Sequence, residues 1–136
     1  MINLKKLHSK LEFTNQEVAD IFKVSPQGGM RISRTNNCLV LIHKTNYDFY
    51  PDQWKGEVLE YIGQGQTGPQ LMKGANKVLF NSQENNVQVF LFESSKKDVY
   101  CYEGRVYLAS EPYLKKAFDI NGEYRNVIVF PLKKES

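Results

Sequence analysis

The order of apolar and polar positions divides the chain into a helical start and a long β-rich remainder. Over 15–23 the apolar residues Val18, Ile21 and Phe22 fall on one helical face. Thr14 stands just before them and Glu17 three residues later. In that spacing each side chain can satisfy a backbone N–H left free at the helix start. The spacing predicts a helix over 15–23, broken by Ser25, Pro26, Gln27, Gly28 and Gly29. A shorter helix is expected over 5–11. From Cys38 onward the pattern changes. Residues 38–42 (CLVLI) are apolar without alternation, as a short strand buried on both faces would be. Segments 58–62, 87–93 and 126–132 read as further strands, and 99–108 as two strands joined by a turn at Glu103-Gly104. Residues 70–79 suggest a short helix. Short strands at close spacing predict an α+β fold: a closed or strongly curved β barrel with one N-terminal helix and short flanking helices. Residues 1–136 read as a single domain, with 1–13 open to reading as an N-terminal extension.

Composition narrows the classes. A chain of 136 residues can bury a real core, and 41% hydrophobic with 24% charged residues is ordinary for a globular protein. No apolar run reaches the length of a membrane span, and the N-terminus lacks an apolar signal core, so a cytoplasmic protein without a membrane partner is expected. Cys38 and Cys101 lie far apart within expected strands and read as free thiols. With no CxxC pair and only His8 and His43, neither a metal centre nor a cofactor is expected. The two histidines are isolated from any nucleophile, and no catalytic residue is assigned. A net charge of +3 permits an anionic partner without requiring one.

The densest chemistry lies in residues 47–65. Tyr47, Phe49, Tyr50, Trp54 and Tyr61 surround one carboxylate, Asp52, and a Gly/Gln-rich loop follows. Aromatic faces beside a hydrogen-bond acceptor suit a planar ring bearing an amine, such as a nucleobase drawn out of a duplex. Against this, Asp52 after Pro51 also suits a plain surface turn, and some of the aromatics must pack the core. The loop carrying Gln64 and Gln66 lacks the Lys-Ser/Thr of a triphosphate-binding loop. Its glutamines can bond to a base edge or fill the gap left by an extruded base. Gly28, Gly29, Met30, Arg31, Ser33 and Arg34 form a second candidate: glycines admit a phosphate, arginine binds it, and methionine can wedge a base step. Asn76 and Lys77 are placed on the same side.

Read in order, the motifs resemble an SRA (YDG) domain, a modified-cytosine reader with a PUA-like barrel. The similarity is greatest to the SRA part of McrA-type restriction endonucleases that also carry an HNH nuclease. The residues carrying it are Phe22, Gly28 to Ser33, Thr35-Asn36, Leu39 to Ile42, Tyr50, Asp52, Trp54, Gly56, Val58-Leu59, Tyr61, Gly63, Gly65-Gln66, Asn76-Lys77, Leu91 to Glu93, Tyr102-Glu103-Gly104, Pro112-Tyr113, Gly122, Arg125 and Val129 to Leu132. The resemblance implies a flipped base held between two aromatics, with a carboxylate accepting from its exocyclic amine. Asp52 matches the carboxylate, Tyr61 the second aromatic and Phe49 the first, with Tyr50 and Trp54 as alternatives. The YDG motif stands here as Tyr102-Glu103-Gly104, with Glu in place of Asp. The implied partner is double-stranded DNA with modified cytosine, 5-methyl or 5-hydroxymethyl. A nuclease domain or subunit is implied elsewhere, as in modification-dependent restriction. A PUA-like domain that binds RNA or a small molecule without base flipping is the alternative.

Overall fold

A computed structural model describes residues 2–45 and 52–135. Helix α1 (Leu4–Leu7) and helix α2 (Asn15–Phe22) precede strands β1 (Met30–Ser33), β2 (Cys38–Lys44), β3 (Gln53–Lys55) and β4 (Val58–Ile62). Helix α3 (Ala75–Phe80) then leads to β5 (Gln88–Lys96), β6 (Val99–Leu108), β7 (Tyr113–Phe118) and β8 (Tyr124–Lys134). The strands make one mixed sheet in the order β1-β2-β5-β6-β8-β4-β3, with β7 also paired to β8. This is the small α+β architecture with a curved sheet that the sequence predicts. Among the described residues no pairing joins β1 to β3, so the path is not closed by a strand ladder.

The capping box forms as expected. Thr14 accepts from the Glu17 N–H, Glu17 accepts from the Thr14 N–H, and Lys23 ends the helix at φ +59°. Val18, Ile21 and Phe22 then face a core with Phe13, Phe90 and Phe92. Strand β2 explains the unbroken apolar run at 38–42. Its Cys38, Val40 and Ile42 enter this first core, while Leu39 and Leu41 enter a second with Leu59, Tyr61, Leu91 and Phe130. β2 pairs in parallel with β5, which alternates in the same way through Phe90 and Phe92 against Val89 and Leu91. A strand covered on both faces leaves no polar alternation to detect.

Residues 99–108 depart from the expected hairpin. They form one strand, β6, interrupted by a bulge: Leu91 pairs with Gly104 and Phe92 with Tyr102, so Glu103 is the extra residue. Gly104 sits at φ +111°, a conformation only glycine adopts readily. The glycine of the YDG-like motif therefore bends a strand instead of turning it. The actual turn is at Lys97-Asp98, where Lys96 faces Val99 and Asp98 takes φ +61°. β1, β3 and β7 are strands that the sequence pattern does not predict. The helix expected over 70–79 runs instead over Ala75–Phe80, and that expected over 5–11 over Leu4–Leu7.

Candidate nucleic-acid interface

Three elements meet around a cavity of about 530 Å³: the 27–30 segment before and at the start of β1, the end of β2, and the 63–66 loop after β4. The volume falls in the range of small-molecule pockets, roughly 300–1,000 Å³. Asp52 lines it, from just before β3. Its side chain is only 4% exposed. Oδ1 accepts from the Ile62 N–H at 2.6 Å, and Oδ2 lies 3.1 Å from Nδ1 of His43. Burial pushes the Asp52 carboxyl above its ordinary pKa, opposed by the hydrogen bonds from His43 and Ile62. Asp52 is therefore a fixed acceptor in a buried part of the wall, not the cap of a surface turn.

Tyr61, on β4, lines the same cavity but is 2% exposed. Its hydroxyl lies 3.0 Å from the Gly29 carbonyl and 3.1 Å from the Ile42 carbonyl, both within donating reach. The Ile42 N–H also donates to Gly29 O at 2.7 Å, carrying the β1–β2 ladder one rung further toward the cavity. These contacts place Gly28, Gly29 and Met30 on the wall, as the sequence suggested. Gln27, Ile42 and Lys44 line it too and were not anticipated. Phe49 and Tyr50, like Tyr47, lie outside the described residues. Trp54 is not brought here. It lies in β3 on a second cleft, about 670 Å³, with Glu57, Glu93, Glu103, Tyr107 and Lys134. The Lys134 ammonium sits 5.5 Å from the centre of its ring. β3 pairs with β4 so that Trp54 is opposite Leu59, and its ring packs on the second core.

Gln64 and Gln66 do line the cavity, on a loop fixed from beneath by buried polar side chains. Asn76 is 2% exposed. Its Oδ1 accepts from the Gln64 N–H at 2.7 Å, and its Nδ2 donates to the Gln64 and Leu71 carbonyls at 3.0 Å each. Gln70 Nε2 donates to the Gly63 and Gly65 carbonyls at 2.7 and 3.1 Å, while its Oε1 accepts from Ile128 N. Arg125 Nη1 donates to Gly65 O at 2.6 Å and Gly68 O at 3.1 Å. A β-carbon on Gly63 would fall 2.8 Å from Asn76 Oδ1 and 3.1 Å from Phe130, so only glycine lets the loop lie on α3 this closely.

Several polar residues expected on the DNA side have other work. Arg31 is 4% exposed; Nε donates to Gly28 O, Nη1 to Asn15 Oδ1, and the guanidinium lies over the Tyr100 ring. It ties α2 to the 27–30 segment. Ser33 is buried and accepts from the Asn36 N–H in the β1–β2 turn. Asn76 supports the loop from within. Arg34 is exposed, but just past the far end of β1, about 13 Å along the chain from Met30. Lys77 is exposed on α3, next to Asn76. His43, which sequence reasoning set aside as isolated, is 4% exposed and touches both Asp52 and Glu93. Among the described residues no group of three His, Cys, Asp or Glu is placed to hold a metal ion. No helix among them is long and apolar enough to cross a membrane.

A family model described as "ScoMcrA-like, SRA domain" matches residues 11–135. Among solved structures, the sulfur binding domain and SRA domain of ScoMcrA complexed with phosphorothioated DNA is similar, with a TM-score of 0.75 and 12% identity. The match covers 92% of this chain and 39% of that one. The DNA modification-dependent restriction endonuclease AspBHI matches with a TM-score of 0.69 and 16% identity over 86% of this chain and 36% of its own. The SUVH5 SRA domain, in complex with hemi-methylated CG DNA, matches with a TM-score of 0.64 and 21% identity over 90% and 83%. This chain thus spans well under half the length of the ScoMcrA and AspBHI chains it matches. No curated protein matches it in sequence.

Proposed function

This chain belongs to the ScoMcrA-like SRA domain family, and from that premise we propose that it reads modified DNA by admitting one flipped cytosine to the cavity at Asp52. The observation that carries the reading is a carboxylate, 4% exposed and held on both oxygens, in the wall of a cavity of about 530 Å³. An ionised carboxylate only accepts hydrogen bonds, and the cytosine N4 amine is a donor. Tyr61 supplies one side of the wall; the first stacking aromatic is assigned from the family resemblance to Phe49, with Tyr50 as alternative, both outside the described residues. Gln64 and Gln66 approach the duplex on the braced loop. Gly28, Gly29 and Met30 lie along the rim, with Lys44 and Lys77 as nearby cations for the phosphate backbone.

Stacking on aromatic side chains is worth about 1–3 kcal/mol per base. Unpairing and unstacking a base costs a few kcal/mol. The two nearly cancel, so net affinity comes from phosphate contacts, while Asp52 selects cytosine by the N4 amine that modified and unmodified cytosine share. The fitting role is the recognition module of a modification-dependent restriction system, with the nuclease, of HNH type on the sequence resemblance, outside this chain. ScoMcrA, described as a phosphorothioation-dependent restriction endonuclease, and AspBHI, described as a DNA modification-dependent one, support that setting. The test is binding to matched duplexes carrying cytosine, 5-methylcytosine, 5-hydroxymethylcytosine or a phosphorothioate linkage. Tighter binding to a modified cytosine, lost in Asp52→Ala, is expected. Equal affinity for the three cytosine duplexes, or binding that follows the phosphorothioate alone, would refute base reading.

A further inference from the structure

The base-reading proposal leaves a buried imidazole at the cavity wall unused. His43, in β2, lies between two carboxylates: Nδ1 is 3.1 Å from Asp52 Oδ2 and Nε2 is 3.5 Å from Glu93 Oε2. Asp52 lines the cavity, whereas Glu93, in β5, lines the second cleft. Glu93 keeps 24% side-chain exposure there and accepts from the Trp54 indole. One imidazole therefore spans the wall between the two concavities. Among the described residues, the other charged groups acting on this trio are Glu103 of β6 and Lys134 of β8, which pair at 3.0 Å. The Cys101 thiol of β6 stands opposite Glu93 in the ladder.

We propose that His43 is the positioning residue of the reading carboxylate and couples the base cavity to protonation at Glu93 in the second cleft. This rests on the base-reading proposal. Each carboxylate oxygen offers two acceptor sites. Ile62 N–H takes one on Oδ1 and His43 one on Oδ2, which fixes the plane of the carboxylate and leaves a site on each oxygen for a base edge. An imidazolium has an N–H for Asp52 and another for Glu93. A neutral imidazole has one, so one carboxylate loses its donor and faces a nitrogen lone pair.

Burial opposes charge on His43, but the hydrogen bond and charge of Asp52, with the charges of Glu93 and Glu103, outweigh it and raise its pKa above the ordinary value. Burial, the largest influence on both carboxyls, raises Asp52 and Glu93 as well. The folded trio thus holds its protons more tightly than the unfolded chain. The reading form, an Asp52 carboxylate beside an imidazolium, persists below the raised His43 pKa and is lost as pH rises through it. At the acid end it is lost when Asp52 itself takes a proton.

The experiment measures affinity of the full chain for duplexes with modified and unmodified cytosine between pH 6 and 9. Wild type is compared with His43→Gln, Glu93→Gln and Asp52→Asn. Glutamine keeps a neutral N–H donor toward Asp52 and does not titrate. The wild-type preference for the modified duplex should fall by up to about tenfold per pH unit above the His43 pKa, the limit for one coupled proton. His43→Gln should flatten that profile, and Glu93→Gln should move its midpoint to lower pH. A His43→Gln profile parallel to wild type would overturn the coupling. An Asp52→Asn protein that discriminates like wild type would instead overturn base reading. Should His43→Gln not fold, NMR titration of the wild-type imidazole decides. A titration midpoint that moves neither on DNA binding nor in Glu93→Gln refutes the proposal.

Discussion

Asn76→Ala isolates what the buried amide does for the cavity. The substitution deletes three hydrogen bonds, at 2.7, 3.0 and 3.0 Å, made by a side chain 2% exposed. Each contributes about 1 kcal/mol net, and a buried partner left unsatisfied costs about 1–3 kcal/mol. Gln64 is exposed, so water can reach part of the vacated edge, whereas Asn76 sits against the second core at α3. The expected loss is about 2–3 kcal/mol. For a domain of 136 residues, between the size classes of the general scaling, that lowers Tm by roughly 6–15 °C. Thermal unfolding by circular dichroism reads it directly. The same variant should lose discrimination between modified and unmodified duplexes more than it loses overall DNA affinity, because the 63–66 loop loses its brace while the surface cations stay. Asn76→Asp separates the two halves of the clamp: it keeps the acceptor for Gln64 N–H and turns a carboxylate toward the two carbonyls, so it should be at least as damaging. A stability change below about 0.5 kcal/mol, the scale of a neutral surface substitution, would refute the bracing argument.

Other outcomes are expected from the same geometry. Phe22→Ala removes a side chain with no exposure from a cluster with Phe90 and Phe92, and should cost about 3–5 kcal/mol by chemical denaturation. Burial pushes the Cys38 thiol up to about 11, while Cys101, also raised by burial and nearby carboxylates, stays partly exposed, so a thiol reagent at pH 8 should modify Cys101 faster than Cys38 in the native protein and both after unfolding. The Tyr113 hydroxyl donates to Glu60 at 2.6 Å and its pKa is pushed up to about 12; Glu60→Gln should bring its absorbance titration back toward that of a free tyrosine. With His43, Asp52 and Glu93 all raised, the folded state binds more protons than the unfolded chain between the unfolded carboxyl pKa values and the folded His43 pKa. Stability from this trio should fall as pH rises through that window, and His43→Gln should shallow the slope in urea midpoints measured from pH 5 to 8.

The parts of the fold legible in the sequence are those where one local rule acts alone. The Thr14–Glu17 cap and the apolar runs at 38–42 and 58–62 were enough to place α2, β2 and β4. β7 (YLKKAF) escaped notice because it has a sheet neighbour on one side only and stays largely exposed, so nothing selects alternation along it. β1 and β3 are held by their partners more than by their own three or four residues. Glu103-Gly104 reads as a turn because glycine serves a bulge and a turn through the same backbone freedom.

In the site, Asp52, Tyr61, Gly28, Gly29, Met30, Gln64 and Gln66 do share one cavity. Arg31, Ser33 and Asn76 have the residue types of a phosphate site, yet their partners are backbone groups and an amide three to sixteen residues away, contacts that residue type alone does not announce. His43 was invisible for the same reason. Its significance depends on Asp52 across a loop and on Glu93 in the adjacent parallel strand, where Glu93 is its register partner. A histidine and a glutamate ending two apolar strand runs, at 43 and 93, were the signal available for that pairing.

Strand β8 is the last element, and it pairs with β4, β6 and β7. A nascent chain that has not yet released residue 124 from the ribosome would present all three of those strands without their common neighbour. Completion of the sheet therefore waits until β8 has emerged, and the β4–β8 ladder must close a gap of more than sixty residues to form. Such a domain should fold slowly and depend on holdase protection while growing, with premature termination upstream of β8 producing aggregates instead of a weakened binder.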